Sequence, residues 1–151
     1  MSHGQTGDEP TIPYWHLFVD ADGMSRHRRC TMSEFQHRSI SGDADPQWIG
    51  RKYTERTTVL FTVLPPGWVG EWHDNPAPQW IVPLSGRWFV EAMDGSCVEM
   101  GPGEISFGQD HGCRERDSRK GHMSGTVGDE PCTMMLIQFE KPPRDDGCPF
   151  A

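Results

Sequence analysis

Positive charge is scarce in this chain: 14 Lys and Arg stand against 22 Asp and Glu, a formal charge of −8. Nucleic acids and anionic membrane surfaces are bound through an excess of Lys and Arg. Neither is expected as a partner. Long apolar runs are missing as well, since no segment approaches the ~18 apolar residues of a membrane-spanning helix. The first residues, MSHGQTGDEP, have no basic start and no apolar stretch, so no secretory signal is expected and a cytoplasmic location is. The five cysteines, at 30, 97, 113, 132 and 148, are odd in number and form no C-x2-C pair. That argues against both a disulfide framework and a thiolate zinc site. They read as buried or idle thiols.

What the chain does have is punctuation. Seventeen Gly and 13 Pro divide it into short apolar segments, the pattern of an all-β sandwich or barrel. Six Trp and seven Phe supply apolar bulk that a disordered chain lacks. At 151 residues a single domain spanning 1–151 is expected, with its core at about 14–139 and polar tails at both ends.

Tyr14–Val19 reads as a first strand, closed by the turn Asp20–Gly23. His27–Ile40 fits a strand or, with Ser33 as N-cap, a short helix, and leans to strand. Thr57–Leu64, TTVLFTVL, is the densest β segment; apolar on successive positions, it suits a central strand buried on both faces. Trp80–Leu84 and Arg87–Met93 flank Ser85-Gly86 as a β-hairpin would, with Pro83 marking an edge or a bulge. Turns at Asp94-Gly95 and Gly101–Gly103 give the regular spacing of a meander or jelly roll. The stretch from Gly108 to Gly121, GQDHGCRERDSRKG, is charged and reads as a surface loop. Cys132–Phe139 reads as a last buried strand, followed by a tail.

Chemistry concentrates between Gly67 and Gly86, GWVGEWHDNPAPQWIVPLSG. A Gly stands six places before His73, Gln79 stands six places after it, and Gly86 lies seven places further on. This frame resembles the first motif of the cupins, G-x5-H-x-H-x3-4-E-x6-G, with Asn75 at the second His and Gln79 at the Glu. The stretch from Gly101 to Phe107, together with Gly121-His122, resembles a looser second motif, with Thr126 where the family has Asn. The arrangement W-H-x-x-P-x-x-Q is similar to that of single-domain cupins of undetermined activity.

The resemblance implies a cupin-like double-stranded β-helix, a jelly-roll barrel. Carried over position by position, it implies one divalent transition metal (iron, nickel, zinc or manganese) held by His73, Gln79 and His122. His111 is the rival to His122 for the second-motif position, and Asn75 is an alternative ligand. Asp110 and His111 either bind substrate or sit on an exposed charged loop. Trp72 and Trp80 either wall the pocket or fill the core. His73 could equally be bonded to the backbone of its own turn.

Two functions stand open. One is a metal-dependent enzyme of oxygenase or isomerase type acting on a small anionic or enolisable substrate. The other is a non-catalytic module that binds a small ligand over a degenerate metal site. Imidazole is the commoner transition-metal ligand and an amide is a weaker one than carboxylate, so His73 supports the first reading and Gln79 the second. Homodimer formation through the N-terminal strands is expected by analogy with the cupins.

Overall fold

The computed structural model describes residues 8–143 and 147–151. Eleven strands are present among them: β1 (Ile12–Val19), β2 (Ser25–Met32), β3 (Gln36–Arg38), β4 (Gln47–Ile49), β5 (Thr57–Leu64), β6 (Gln79–Ser85), β7 (Arg87–Ala92), β8 (Cys97–Met100), β9 (Ser106–Gly108), β10 (His122–Val127) and β11 (Cys132–Phe139). The described residues contain no helix, and so none that could cross a membrane. A six-stranded sheet runs β2-β1-β9-β6-β11-β5, a three-stranded sheet runs β10-β7-β8, and β3 with β4 makes a separate ribbon. Every pairing is antiparallel except β1 with β9. This is the all-β jelly roll that the strand spacing leads one to expect.

Two apolar layers hold it together. Strand alternation sends Leu17, Leu64, Ile81 and Met134 of the large sheet inward against Trp88, Val90, Ala92 and Met100 of the small one. A second cluster, Tyr14, Cys30, Phe107, Phe139 and Phe150, lies apart from the first and gathers Trp80 and Ile137 around it. Because side chains alternate across a strand, the large sheet can bury apolar residues on both faces.

Four expectations need correction. Thr57–Leu64 is not central: β5 is the last strand of its sheet and pairs with β11 alone among the named strands. A continuous apolar run looks the same whether its two faces are covered or open, and strand order is a tertiary property. Secondly, Trp80–Leu84 and Arg87–Met93 do not form a hairpin, because β6 and β7 belong to different sheets. Gly86 makes the corner between them at φ 76°, pressed so closely on the backbone of Pro131 and Cys132 that a Cβ would collide there. Pro83 does sit beside an irregularity in the β6–β11 register.

The C-terminal segment is not a free tail. Phe150, 3% exposed, packs between Tyr14, Trp80, Phe107 and Phe139, and its backbone N–H donates to the Tyr14 hydroxyl at 2.9 Å. Lastly, two of the cysteines are not idle, since Cys30 and Cys148 form a disulfide across a sequence separation of 118. Such bonds persist in oxidising surroundings and are rare in the cytosol, so the pair lends no support to a cytoplasmic location. Cys97, Cys113 and Cys132 are free thiols.

Phe150→Ala should therefore cost about 3–5 kcal/mol, as for a core aromatic, measured by urea unfolding with the disulfide intact. A loss under about 0.5 kcal/mol, the ordinary surface value, would show that the segment behaves as a tail after all.

Candidate functional site

The segment between β5 and β6 and the segment between β9 and β10 meet at one end of the barrel. Their meeting is backbone-directed. His73 and His122 exchange both backbone hydrogen bonds at 2.9 Å, as an isolated antiparallel bridge. Gly121 makes that approach possible: at φ 79°, its Cα lies against the His73 carbonyl, where a Cβ would collide. Gly108 has the same function beside Asn75, whose side chain occupies the space a Cβ would need. These two glycines let a bridge and a side-chain network share one small volume.

The network centres on Asp110, which is fully buried. Its Oδ1 accepts from the Asn75 backbone N–H and from Asn75 Nδ2, both at 2.9 Å. His122 Nδ1 lies 2.6 Å from its Oδ2; since a carboxylate only accepts, that nitrogen carries the proton. Asn75 Oδ1 accepts from Gln79 Nε2 at 2.6 Å, and Gln79 Oε1 accepts from Gln138 Nε2 at 3.0 Å. Five side chains thus run in one chain, Gln138 to Gln79 to Asn75 to Asp110 to His122, with the Gln79 and Asn75 amides each engaged through both oxygen and nitrogen. Burial alone would push the Asp110 carboxyl up. The His122 bond and charge and the Asn75 donors outweigh it and hold the group below the ordinary carboxylate value.

Of the residues singled out in the sequence, Asn75, Gln79, Asp110 and His122 come together, and all four are buried. His73 stands beside them with its ring centroid 4.6 Å from that of His122. It is exposed, and its Nδ1 bonds the Glu71 carbonyl at 2.7 Å, the turn-backbone contact that was the alternative to ligation. The loop of residues 109–121 is not simply an exposed charged surface: Asp110 and Cys113 are buried in it, and the Cys113 thiol donates to the Asp110 carbonyl.

His111 faces away from the network. It lines an external groove of about 450 Å³ with Val19, Pro76, Ala77, Pro78, Gln109 and Glu140. Trp80 belongs to the outer aromatic cluster rather than to a pocket wall. Trp72 is half-buried at the surface, with the Arg119 guanidinium 5.3 Å above its ring.

Inside the barrel, Leu17, Ile81, Trp88, Val90 and Met100 leave a cavity of only about 10 Å³ beside His27, Asn75 and His122. That is room for about one water, far below the ~300 Å³ of a ligand pocket. His27 Nε2 donates to the Val90 carbonyl at 3.1 Å, which makes Nδ1 the bare nitrogen. Burial pushes the His27 pKa down, against a smaller opposing effect of the Val90 bond.

Sequence reasoning missed His27 and Gln138. The signal for Gln138 was there: it is the one amide in the otherwise apolar run of β11, on the same face as Gln79, its register partner.

Of the expected metal set, His73 and His122 stand together, while Gln79 is drawn into the hydrogen-bond chain. Both ends of the Gln79 amide are taken up by Asn75 and Gln138, and Asn75 is likewise engaged. Among the described residues no three His, Cys, Asp or Glu side chains converge as a metal would require. What is left are the Nε2 atoms of His73 and His122.

No family model matches the chain, and no curated protein does. Among solved structures, the DMSP lyase DddQ from Ruegeria pomeroyi DSS-3 is similar over 73% of this chain and 50% of its own, at 18% identity and a TM-score of 0.44. A Bacillus subtilis oxalate decarboxylase, studied for its Mn(II) centres, is similar over 97% of this chain and 35% of its own, at 17% identity and a TM-score of 0.39. The chain spans half of the first protein and about a third of the second. The functional reading rests on this chain's own residues.

Two titrations should shape stability in acid. For His27, lowered in the fold, the unfolded chain binds the extra proton, so stability falls as pH drops below about 6.5. For Asp110, also lowered, stability is present above about pH 3.9 and is lost as pH falls through the lower folded value. Thermal melts should decline in two stages, with His27→Leu flattening the upper and Asp110→Asn the lower. Unchanged profiles in both variants would contradict the assignments.

Proposed function

We propose that the chain is a small-ligand-binding, cupin-like barrel in which the positions of a metal site have become a hydrogen-bond network. The observation that carries this reading is the engagement of Gln79 and Asn75: each uses both ends of its amide on a neighbouring side chain. A buried polar network is stable when every member is satisfied, and it then fixes the geometry around it.

What the network fixes is the wall of the external groove. Asn75 and Gln79 are buried while Pro76, Ala77 and Pro78 between them line the groove, and Gln109 and His111 flank buried Asp110 and line it too. Three prolines, counting Pro142, give the groove a stiff apolar surface. His111 and Glu140 give it two polar groups able to orient a ligand. The volume of about 450 Å³ lies within the range of small-molecule sites. A flat apolar molecule carrying a hydrogen-bonding group fits this chemistry.

One observation favours the metal-dependent reading. His73 and His122 stand side by side, each with Nδ1 held by an oxygen, the arrangement by which a ligating imidazole is oriented with Nε2 outward. Two imidazoles could hold a divalent ion and leave open positions for an anionic substrate. The oxygenase or isomerase activity would then be this chain's own.

Metal analysis separates the two. After exposure to Fe(II), Ni(II), Zn(II) or Mn(II) and gel filtration, the wild-type protein should retain well under one equivalent. Small aromatic and polar compounds should raise its melting temperature, and Ala77→Trp, which fills the groove, should abolish the rise. One equivalent of metal that is lost in His73→Ala would overturn the binding reading.

Gln79→Glu gives a sharper check. It sets a carboxylate against the Asn75 oxygen, so it should destabilise by about 1–3 kcal/mol and leave metal affinity unchanged. Tighter metal binding in this variant would place residue 79 among the ligands.

A further inference from the structure

The proline-walled groove continues into a second one. Val19 lines both, and the second, of about 310 Å³, adds His16, Phe18, Asp20 and Arg28. A hydrogen bond crosses between them: His16 Nε2, from the second groove, donates to the amide oxygen of Gln109, from the first, at 3.0 Å. Gln109 is held in turn by its backbone N–H, which donates to the Leu17 carbonyl at 2.8 Å. The two grooves are halves of one cleft. Strand order gives its direction, since β2, β1, β9, β6 and β11 are successive neighbours: Arg28 on β2 stands at one end and Glu140, just past β11, at the other.

Charge is distributed unevenly along this cleft. Arg28 is the one Lys or Arg among the described residues that line either half. It is half-buried, and its guanidinium carbon lies 3.9 Å over the Phe18 ring. A guanidinium held flat on an aromatic face keeps its N–H edges for a planar acceptor. Among the described residues no carboxylate lies within ion-pair distance of it. The acid in its own half, Asp20, is already engaged by Arg26 Nε and by the backbone N–H groups of Asp22 and Met24. At the far end Glu140 pairs with Arg56 at 3.4 Å.

We propose that Arg28 is the anion-recognising residue of this cleft, and that the ligand is an aromatic monocarboxylate whose ring lies on the Pro76–Pro78 wall. The inference rests on the reading of the groove as a small-ligand site and assigns that ligand's polar group. Geometry fits the two ends together. The register Leu17 to Gly108 to Gln79 puts Pro78, one residue before β6, in line with Phe18 on β1, two strand spacings or about 10 Å away. A phenyl ring on a short carboxylate-bearing chain spans that distance. Charge fixes both sign and orientation. One guanidinium balances one negative charge, and in a chain of −8 a dianion would be repelled; Glu140 turns the carboxylate toward the Arg28 end. The carboxylate meets Arg28 bidentately, away from the His73–His122 pair.

Calorimetric titration with 3-phenylpropionate and its neutral amide, 3-phenylpropanamide, tests this. The wild-type protein should bind the carboxylate at least about tenfold more tightly than the amide, as for a hydrogen bond to a charged group. Arg28→Gln should lower the carboxylate to the affinity of the amide and leave the amide unchanged, Arg28→Lys should fall between, and Ala77→Trp should abolish binding of both. Equal wild-type affinity for the two probes would leave the groove a ligand site and overturn the assignment of Arg28. Wild-type carboxylate affinity in a folded Arg28→Gln variant would overturn it too. If neither probe binds, the groove reading falls and this inference falls with it.

Discussion

A carboxylate with no exposed surface must find hydrogen bonds to replace water, because an unpaired buried charge costs several kcal/mol even after relaxation. Asp110 is such a group, and the mouth of the barrel is arranged around meeting its needs. Its two oxygens receive Asn75 twice and His122 once, and these donors come from two segments far apart in sequence. Satisfying Asp110 therefore ties the 74–79 segment to the 109–121 loop and to the start of β10. The His73–His122 backbone bridge and the close approach at Gly121 follow from the same constraint, since His122 reaches Asp110 only when its strand start is drawn against His73.

Gln79 and Asn75 then have a structural role of their own. An ionised Glu at position 79 could only accept, and it would meet the oxygen of Asn75. A neutral Gln both donates to Asn75 and accepts from Gln138, which is what lets Asn75 turn its own NH2 toward Asp110. The two departures from the cupin ligand letters are thus coupled, and each makes sense only with the other. With His73 engaged by its own turn, the four positions that resemble the motif hold three members of a chain of donors and acceptors plus one exposed imidazole.

The fold was largely legible because its signals are local. Gly and Pro punctuation, strand-length apolar runs and the glycine frame around His73 all act within a few residues of themselves, and they led to an all-β jelly roll. The errors arose where an answer depended on distant chain. Edge or centre for β5 turns on whether another strand lies beyond it, which no pattern inside TTVLFTVL encodes. Whether β6 and β7 pair or part depends on what packs against Gly86, and that is the backbone at Pro131 and Cys132. The role of Phe150 depends on a socket formed by Tyr14, Trp80, Phe107 and Phe139. Cys30 and Cys148 could not be matched from an odd set of five.

The site was legible in the same uneven way. The motif frame brought forward Asn75, Gln79 and His122, and they do assemble. It gave no hint that Asp110 would be their hub, because a single acidic residue in a charged loop looks solvated. Nor could spacing reveal that the barrel interior is filled. That interior is filled by the large side chains of Trp88 and Met100, packed across the core against Leu17 and Ile81. A barrel of this kind presents its mouth and its outer surfaces, and not its lumen, to other molecules. What the buried network holds in place at the surface is the proline-lined wall at residues 76–78 and, beside buried His122, the exposed ring of His73.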